Sequence, residues 1–111
     1  MRGQERKKMQ TISSQHFLDD DIVAAKLAAQ DFEVSVSPEF EFDGQVIRVV
    51  LDGHHSLAAA KLAGVEPEWV TADATKNDTV ALLERGDIET FLEATWGDGD
   101  YYNVDTKECV W

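Results

Sequence analysis

Apolar and polar residues alternate with two periods along this chain, and the switches between them lay out its elements. Residues 9–12 (MQTI) carry a short strand pattern, and Ser13 or Ser14 then stands where a helix cap is expected. Leu18, Ile22, Ala25 and Ala29 follow at helical spacing, with Val23 and Leu27 widening the stripe, so a helix is predicted over about residues 14–29. Period two comes next: Phe32, Val34 and Val36 alternate with Glu33, Ser35 and Ser37. Pro38, which cannot donate to a strand ladder, interrupts. Glu39-Phe40-Glu41-Phe42 alternates again, Asp43-Gly44 is a strong two-residue hairpin signal, and residues 45–51 (QVIRVVL) return as a strand. That strand is rich in β-branched residues around Arg48, so it belongs in the middle of a sheet, covered on both faces.

The second half is more helical. Asp52-Gly53 ends the strand, and SLAAAKLA builds a helix from His55 or Ser56 to Ala63, with Gly64 as its C-terminal cap. Residues 66–74, around Trp69 and Val70, read as another strand. Asn77 or Asp78 caps a helix that includes Val80, Leu82 and Leu83; Gly86 breaks it, and Asp87 starts a last helix with Ile88, Phe91 and Leu92 inward. The tail reads as two short strands around Asp105-Thr106-Lys107. The sum is an α+β fold, a mixed sheet with flanking helices, in a single domain over residues 9–111. A chain of 111 residues fits one domain of ordinary size.

Charge narrows the partners. The net charge is −12, but Arg2, Arg6, Lys7 and Lys8 gather in residues 1–8, a basic segment predicted to be flexible. From Met9 onward 6 basic residues face 21 acidic ones, a net −15. Such a surface repels phosphate backbones, so duplex DNA is not an expected partner and a nuclease is disfavoured. It suits a basic protein instead. No apolar run is long enough to span a membrane, and no apolar stretch follows the basic N-terminus to make a secretory leader. Cys109 is the one cysteine, so no intramolecular disulfide forms, and a cytoplasmic location is expected.

Most reactive-looking residues have plain readings. Asp19, Asp20 and Asp21 suit the positive end of the first helix better than a metal. His16 reads as a surface or packing residue, Cys109 as structural, and Trp69, Trp96 and Trp111 as packing. Tyr101, Tyr102 and Trp111 offer an aromatic surface in the tail. Gly97-Asp98-Gly99-Asp100 looks like a piece of a calcium loop without its closing glutamate, so a flexible acidic loop is expected.

The turn Asp52-Gly53-His54-His55-Ser56 is different. A buried strand delivers the chain to a glycine, and a helix starts at once. The unbonded N–H groups of its first turn and the helix dipole make an anion site. Gly53 permits a backbone conformation, or an approach to a ligand, that a Cβ would block. His54 and His55 place ionisable nitrogens at the mouth, and Ser56 is placed to cap the helix or touch phosphate. Three ligands as close in sequence as Asp52, His54 and His55 fit a tetrahedral zinc site poorly.

The string D-G-H-H followed by L-A-A-A-K-L-A-G-V resembles the signature of the ParB/sulfiredoxin-like superfamily, and the element order around it fits over about residues 9–75. The resemblance implies nucleotide phosphates at the turn: CTP bound and hydrolysed in partition proteins, ATP used by sulfiredoxins and by free-serine kinases. It gives Asp52 the place of a metal or catalytic-acid residue, with Mg2+ as the ion. Gly53 becomes the close-approach glycine, His54 and His55 phosphate-contacting or catalytic residues, and Ser56 a ligand-binding position. Ser56 stands where the family usually has a phosphate-clamping arginine, which a hydroxyl replaces poorly. Sulfiredoxin chemistry needs a cysteine in the turn, and there is none. The DNA-binding and dimerisation domains of partition proteins are not expected within these residues. Two functions remain open. One is a domain binding a nucleotide or other phosphorylated ligand, with weak phosphotransfer or hydrolysis. The other is a non-enzymatic acidic interaction protein, of immunity, antitoxin or phage regulatory type, that kept the fold and lost the clamp. The sequence leaves the oligomeric state open.

Overall fold

A computed structural model describes residues 9–110; the basic segment 1–8 and Trp111 lie outside the described residues. The chain runs β1 (Gln10–Ser13), α1 (Asp20–Ala29), β2 (Glu33–Val36), β3 (Phe40–Phe42), β4 (Gln45–Asp52), α2 (His54–Ala63), β5 (Glu68–Thr71), α3 (Asp78–Glu84), α4 (Ile88–Thr95) and β6 (Tyr102–Asn103). This is the predicted α+β class. The strands form one mixed sheet in the order β5-β2-β4-β1-β6, with β3 also paired to β4. β4 runs parallel to β1 and antiparallel to β2 and β3, and β5 joins β2 in parallel.

β4 is central for the reason its composition gives. Alternate residues of a strand face opposite ways. Ile47 and Val49 are buried against Ile12, Phe91, Leu92 and Tyr101, under α3 and α4. Val50 points to the other face and packs with Val34, Val36, Leu57 and Val104, under α2. Arg48 shares that second face; its guanidinium lies 4.3 Å from the centre of the Trp69 ring and donates to Thr11 Oγ1 at 2.8 Å. A cation in a central strand is thereby stacked and hydrogen-bonded rather than left bare.

The break at Pro38 splits one side of β4 between two strands. β2 covers its C-terminal half and β3 its N-terminal half, with Val36 opposite Val50 and Phe40 opposite Ile47. Buried Ser37 bridges the gap. Its N–H donates to Val49 O, and its hydroxyl accepts the Val49 N–H, each at 2.9 Å. Asp43 and Gly44 both take positive φ, 55° and 75°, as a tight hairpin turn requires.

The first helix is shorter than its spacing predicts. It starts at Asp20, capped by Asp19, whose carboxylate accepts from the Asp21 and Ile22 N–H groups. Residues 14–18 are captured by a distant loop instead. The Ser14 carbonyl accepts from Asp98 and Gly99, and the Asp98 carboxylate accepts the His16 and Phe17 N–H groups at 2.6 and 3.0 Å. The segment 97–100, expected as a flexible acidic loop, is therefore fastened down. His16 belongs to the same latch: its Nε2 lies 2.8 Å from Asp100 O and its ring 4.8 Å from that of Tyr102. On α1 only Val23 is buried, while Ile22 is 43% exposed, so the expected wide stripe is not used.

Smaller differences follow. The strand expected over 66–74 is confined to Glu68–Thr71. Trp96 is 56% exposed rather than packed, and Cys109 is exposed, in a bridge opposite Tyr102. Among the described residues no helix is long and apolar enough to cross a membrane.

Candidate functional site

β4 and α2 meet at Gly53, whose φ of 93° lies in the left-handed region. A Cβ built there would lie 2.6 Å from Glu33 O and 3.0 Å from Val34 Cα. The close approach that demands glycine is thus to β2, within the fold. As the residue before the helix, Gly53 supplies no capping side chain, whereas Asp19, Asn77 and Asp87 cap α1, α3 and α4. The first bond of α2 runs from Leu57 N–H to Gly53 O. The N–H groups of His54, His55 and Ser56 therefore have no acceptor inside the helix, at its positive end.

The side chains of the turn diverge. Asp52 is exposed, and its carboxylate accepts the Gly53 N–H at 2.8 Å. His54 turns towards the end of β1, with Nε2 2.7 Å from Ser13 Oγ. Ser13 is 1% exposed, and its Oγ also accepts the Gln15 N–H at 3.0 Å. Burial pushes the His54 imidazole below its usual pKa, Asp52 opposes that, and His55 adds to it. His54 is accordingly neutral near pH 7, and its Nε2 shares one hydrogen bond with the Ser13 hydroxyl. His55 faces α1 instead, where its Nε2 accepts the Asp19 N–H at 3.1 Å. It pins the start of one helix to the start of the other.

Ser56 is 2% exposed, beneath Asp31. The Asp31 carboxyl is held below its usual range by Lys26 at 2.9 Å, then by the Glu33 N–H, with the Ser56 hydroxyl contributing. So the position read as a family clamp is turned into the protein. Asp52, His54 and His55 each find a different partner. Among the described residues no three His, Cys, Asp or Glu side chains gather as a metal site.

Among the described residues, three pockets are lined by residues of the turn, and two of them bear on phosphate binding. One, of about 260 Å³, lies on the β2 side among Lys26, Asp31, Glu33, Asp52, Gly53 and Ser56. It holds three carboxylates, and its one ammonium is already paired with Asp31, so it repels phosphate. The other, of about 280 Å³, lies at the carboxyl ends of the parallel strands β1 and β4. Ser13, Gln15, His54, Asn77, Thr79 and Trp96 line it, together with apolar groups of β4 and α4. It contains no carboxylate and no ammonium, several neutral hydrogen-bonding groups and one indole. A crevice at the carboxyl ends of strands, beside a helix N-terminus, is where open sheets hold ligands.

Sequence reading finds His54 and misses most of this pocket. Ser13 and Asn77 both read as helix caps; Asn77 is one, and Ser13 is the partner of His54. Gln15, Thr79 and Trp96 carry no motif, and only the topology brings them together. A Mg2+ ion carried by phosphates would find no carboxylate in the lining of the neutral pocket, because Asp52 lines the pocket on the other side of the turn. Comparison of the chain with protein-family models, curated proteins and solved structures returns no match.

Proposed function

We propose that this protein is a ParB-like domain that binds a nucleotide or another phosphorylated small molecule in the pocket beside the N-terminus of α2. One observation carries the reading. The helix starts without a side-chain cap, and its first residue, His54, lines a pocket of neutral polar groups free of carboxylates. In a chain of net charge −12, that is a place where an anion meets donors and no carboxylate in the lining, Asp52 and Asp98 acting on His54 only from outside it. Trp96 offers a ring face to a base, and Asn77 and Thr79 offer hydrogen bonds. Neutral His54 has one unprotonated ring nitrogen; where that nitrogen faces the ligand it can take the proton of a water or alcohol that attacks phosphorus as the P–O bond to the leaving phosphate breaks, the step a weak hydrolase or phosphotransferase needs. Asp52 lies on the other side of the turn and takes no part in this pocket, any Mg2+ arriving with the nucleotide, and His55 positions α1. With Ser56 buried and no arginine in the turn, binding is weak, with Kd in the millimolar range, about −4 kcal/mol. The test titrates CTP, ATP and GTP with Mg2+ and follows tryptophan emission. Saturable quenching that is lost in Trp96→Leu supports the pocket, and no response to any of the three sinks it.

The second reading, an acidic interaction protein, draws on one further observation. α3 and α4 turn Asp78, Glu84, Asp87, Glu89 and Glu93 outward. A basic protein bound there would dissociate as salt is raised. A pull-down that captures no stoichiometric basic partner counts against it.

A further inference from the structure

We propose that the groove between α1, α2 and the tail is a second ligand site, for a small amphiphilic anion: an apolar body with a carboxylate head. The groove holds about 340 Å³, within the range of small-molecule sites. Val23, Leu57, Ala58 and Val104 line it, and Leu18 and Leu62 stand at its mouth. Leu62 is 70% exposed, although the Leu57 on the same helix is buried.

The cations fix the chemistry. Lys61 and Lys107 both line this groove. Each has a neutral partner: Lys61 Nζ donates to the Val104 carbonyl, and Lys107 Nζ lies 5.3 Å from the centre of the Tyr102 ring. Lys26, by contrast, is paired with the Asp31 carboxylate. The groove therefore has two ammonium groups without a contacting carboxylate on one rim, in a chain with more than twice as many acidic as basic residues. Burial pushes the Lys61 ammonium below its usual pKa, Lys107 adds to that, and the nearby Asp105 carboxylate opposes it. A carboxylate head between them relieves both effects. Lys107 also sits at φ 68°, a left-handed conformation that disfavours a side-chain-bearing residue. The turn holds a lysine there rather than the glycine its backbone favours. Asp20 stands on the α1 rim and sets the polarity of the groove, directing an anionic head to the lysine side.

The test titrates the full chain with octanoate, octanol and octylamine and follows backbone amide NMR signals. Octanoate is expected to shift residues 57–62 and 104–107 saturably. Octanol should bind at least about tenfold more weakly, a loss of about 1.4 kcal/mol, and octylamine should not saturate. Lys107→Gln, at an exposed turn, should weaken octanoate several-fold and leave octanol unchanged. Lys61→Gln should do the same, and if it fails to fold, Lys107→Gln alone decides. Equal binding of octanol and octanoate, or shifts confined to other surfaces, overturns the proposal. So does a concentration-dependent dimer that Leu62→Asp abolishes and octanoate does not dissociate, because the occupant is then a second copy of this chain.

Discussion

His54 carries a thermodynamic signature of its burial. Its folded pKa is lowered from 6.5, chiefly by burial. As pH falls through about 6.5 the unfolded chain takes up a proton and the folded chain resists, so stability declines between that value and the lower folded pKa. Urea unfolding at about pH 7.5 and about pH 5.5 should show the decline, and His54→Asn should flatten it. An identical pH dependence in the variant would show that His54 is not held neutral. Further down, Asp31, Asp73 and Asp98 have pKa values below 3.8, so their stabilisation persists until pH falls through that range. Two glycines separate backbone strain from steric conflict. Gly53→Ala combines a positive φ with a contact of 2.6 Å to Glu33 O and should cost about 3 kcal/mol. Gly64→Ala has a similar φ and nothing within 4 Å of the new Cβ, so it should cost about 1 kcal/mol. Thermal melts of the two variants give the comparison; equal losses would remove the steric role assigned to Gly53.

Between elements, side chains replace backbone at two breaks. Ser37 carries the ladder across the interruption at Pro38, so Ser37→Ala orphans the buried Val49 N–H and should cost about 1–3 kcal/mol by denaturant unfolding. Asp98 holds residues 16 and 17 across the start of α1, and Asp98→Ala should release that segment, seen as faster amide exchange at both positions. These breaks also mark where the sequence was legible. The hairpin at Asp43-Gly44, the central β4 and α2 ending at Gly64 follow local rules, and the structure has all three. The predicted start of α1 is misplaced because Ser14 and His16 look like helix residues but bond to a loop more than eighty residues away. Local propensity has no access to that partner.

At the scale of the whole molecule, the turn was readable as a helix N-terminus, but its orientation was not. The spacing of Asp52, His54, His55 and Ser56 puts them together in sequence, while the fold sends them to four partners: Gly53, Ser13, Asp19 and Asp31. Only His54 enters the neutral pocket, which Gln15, Asn77, Thr79 and Trp96 complete from three other parts of the chain. The charge asymmetry sharpens this. With one of these two pockets lined by three carboxylates and the other by none, phosphate is favoured in the second. The most direct measurement is an amide NMR titration of the full chain with Mg-CTP and Mg-ATP, alongside the His54→Ala variant. The prediction is saturable shifts at residues 13–15, 54–56, 77–79 and 96, with affinity at least about tenfold lower in the variant. Shifts absent from these positions, or unchanged affinity without His54, would contradict it.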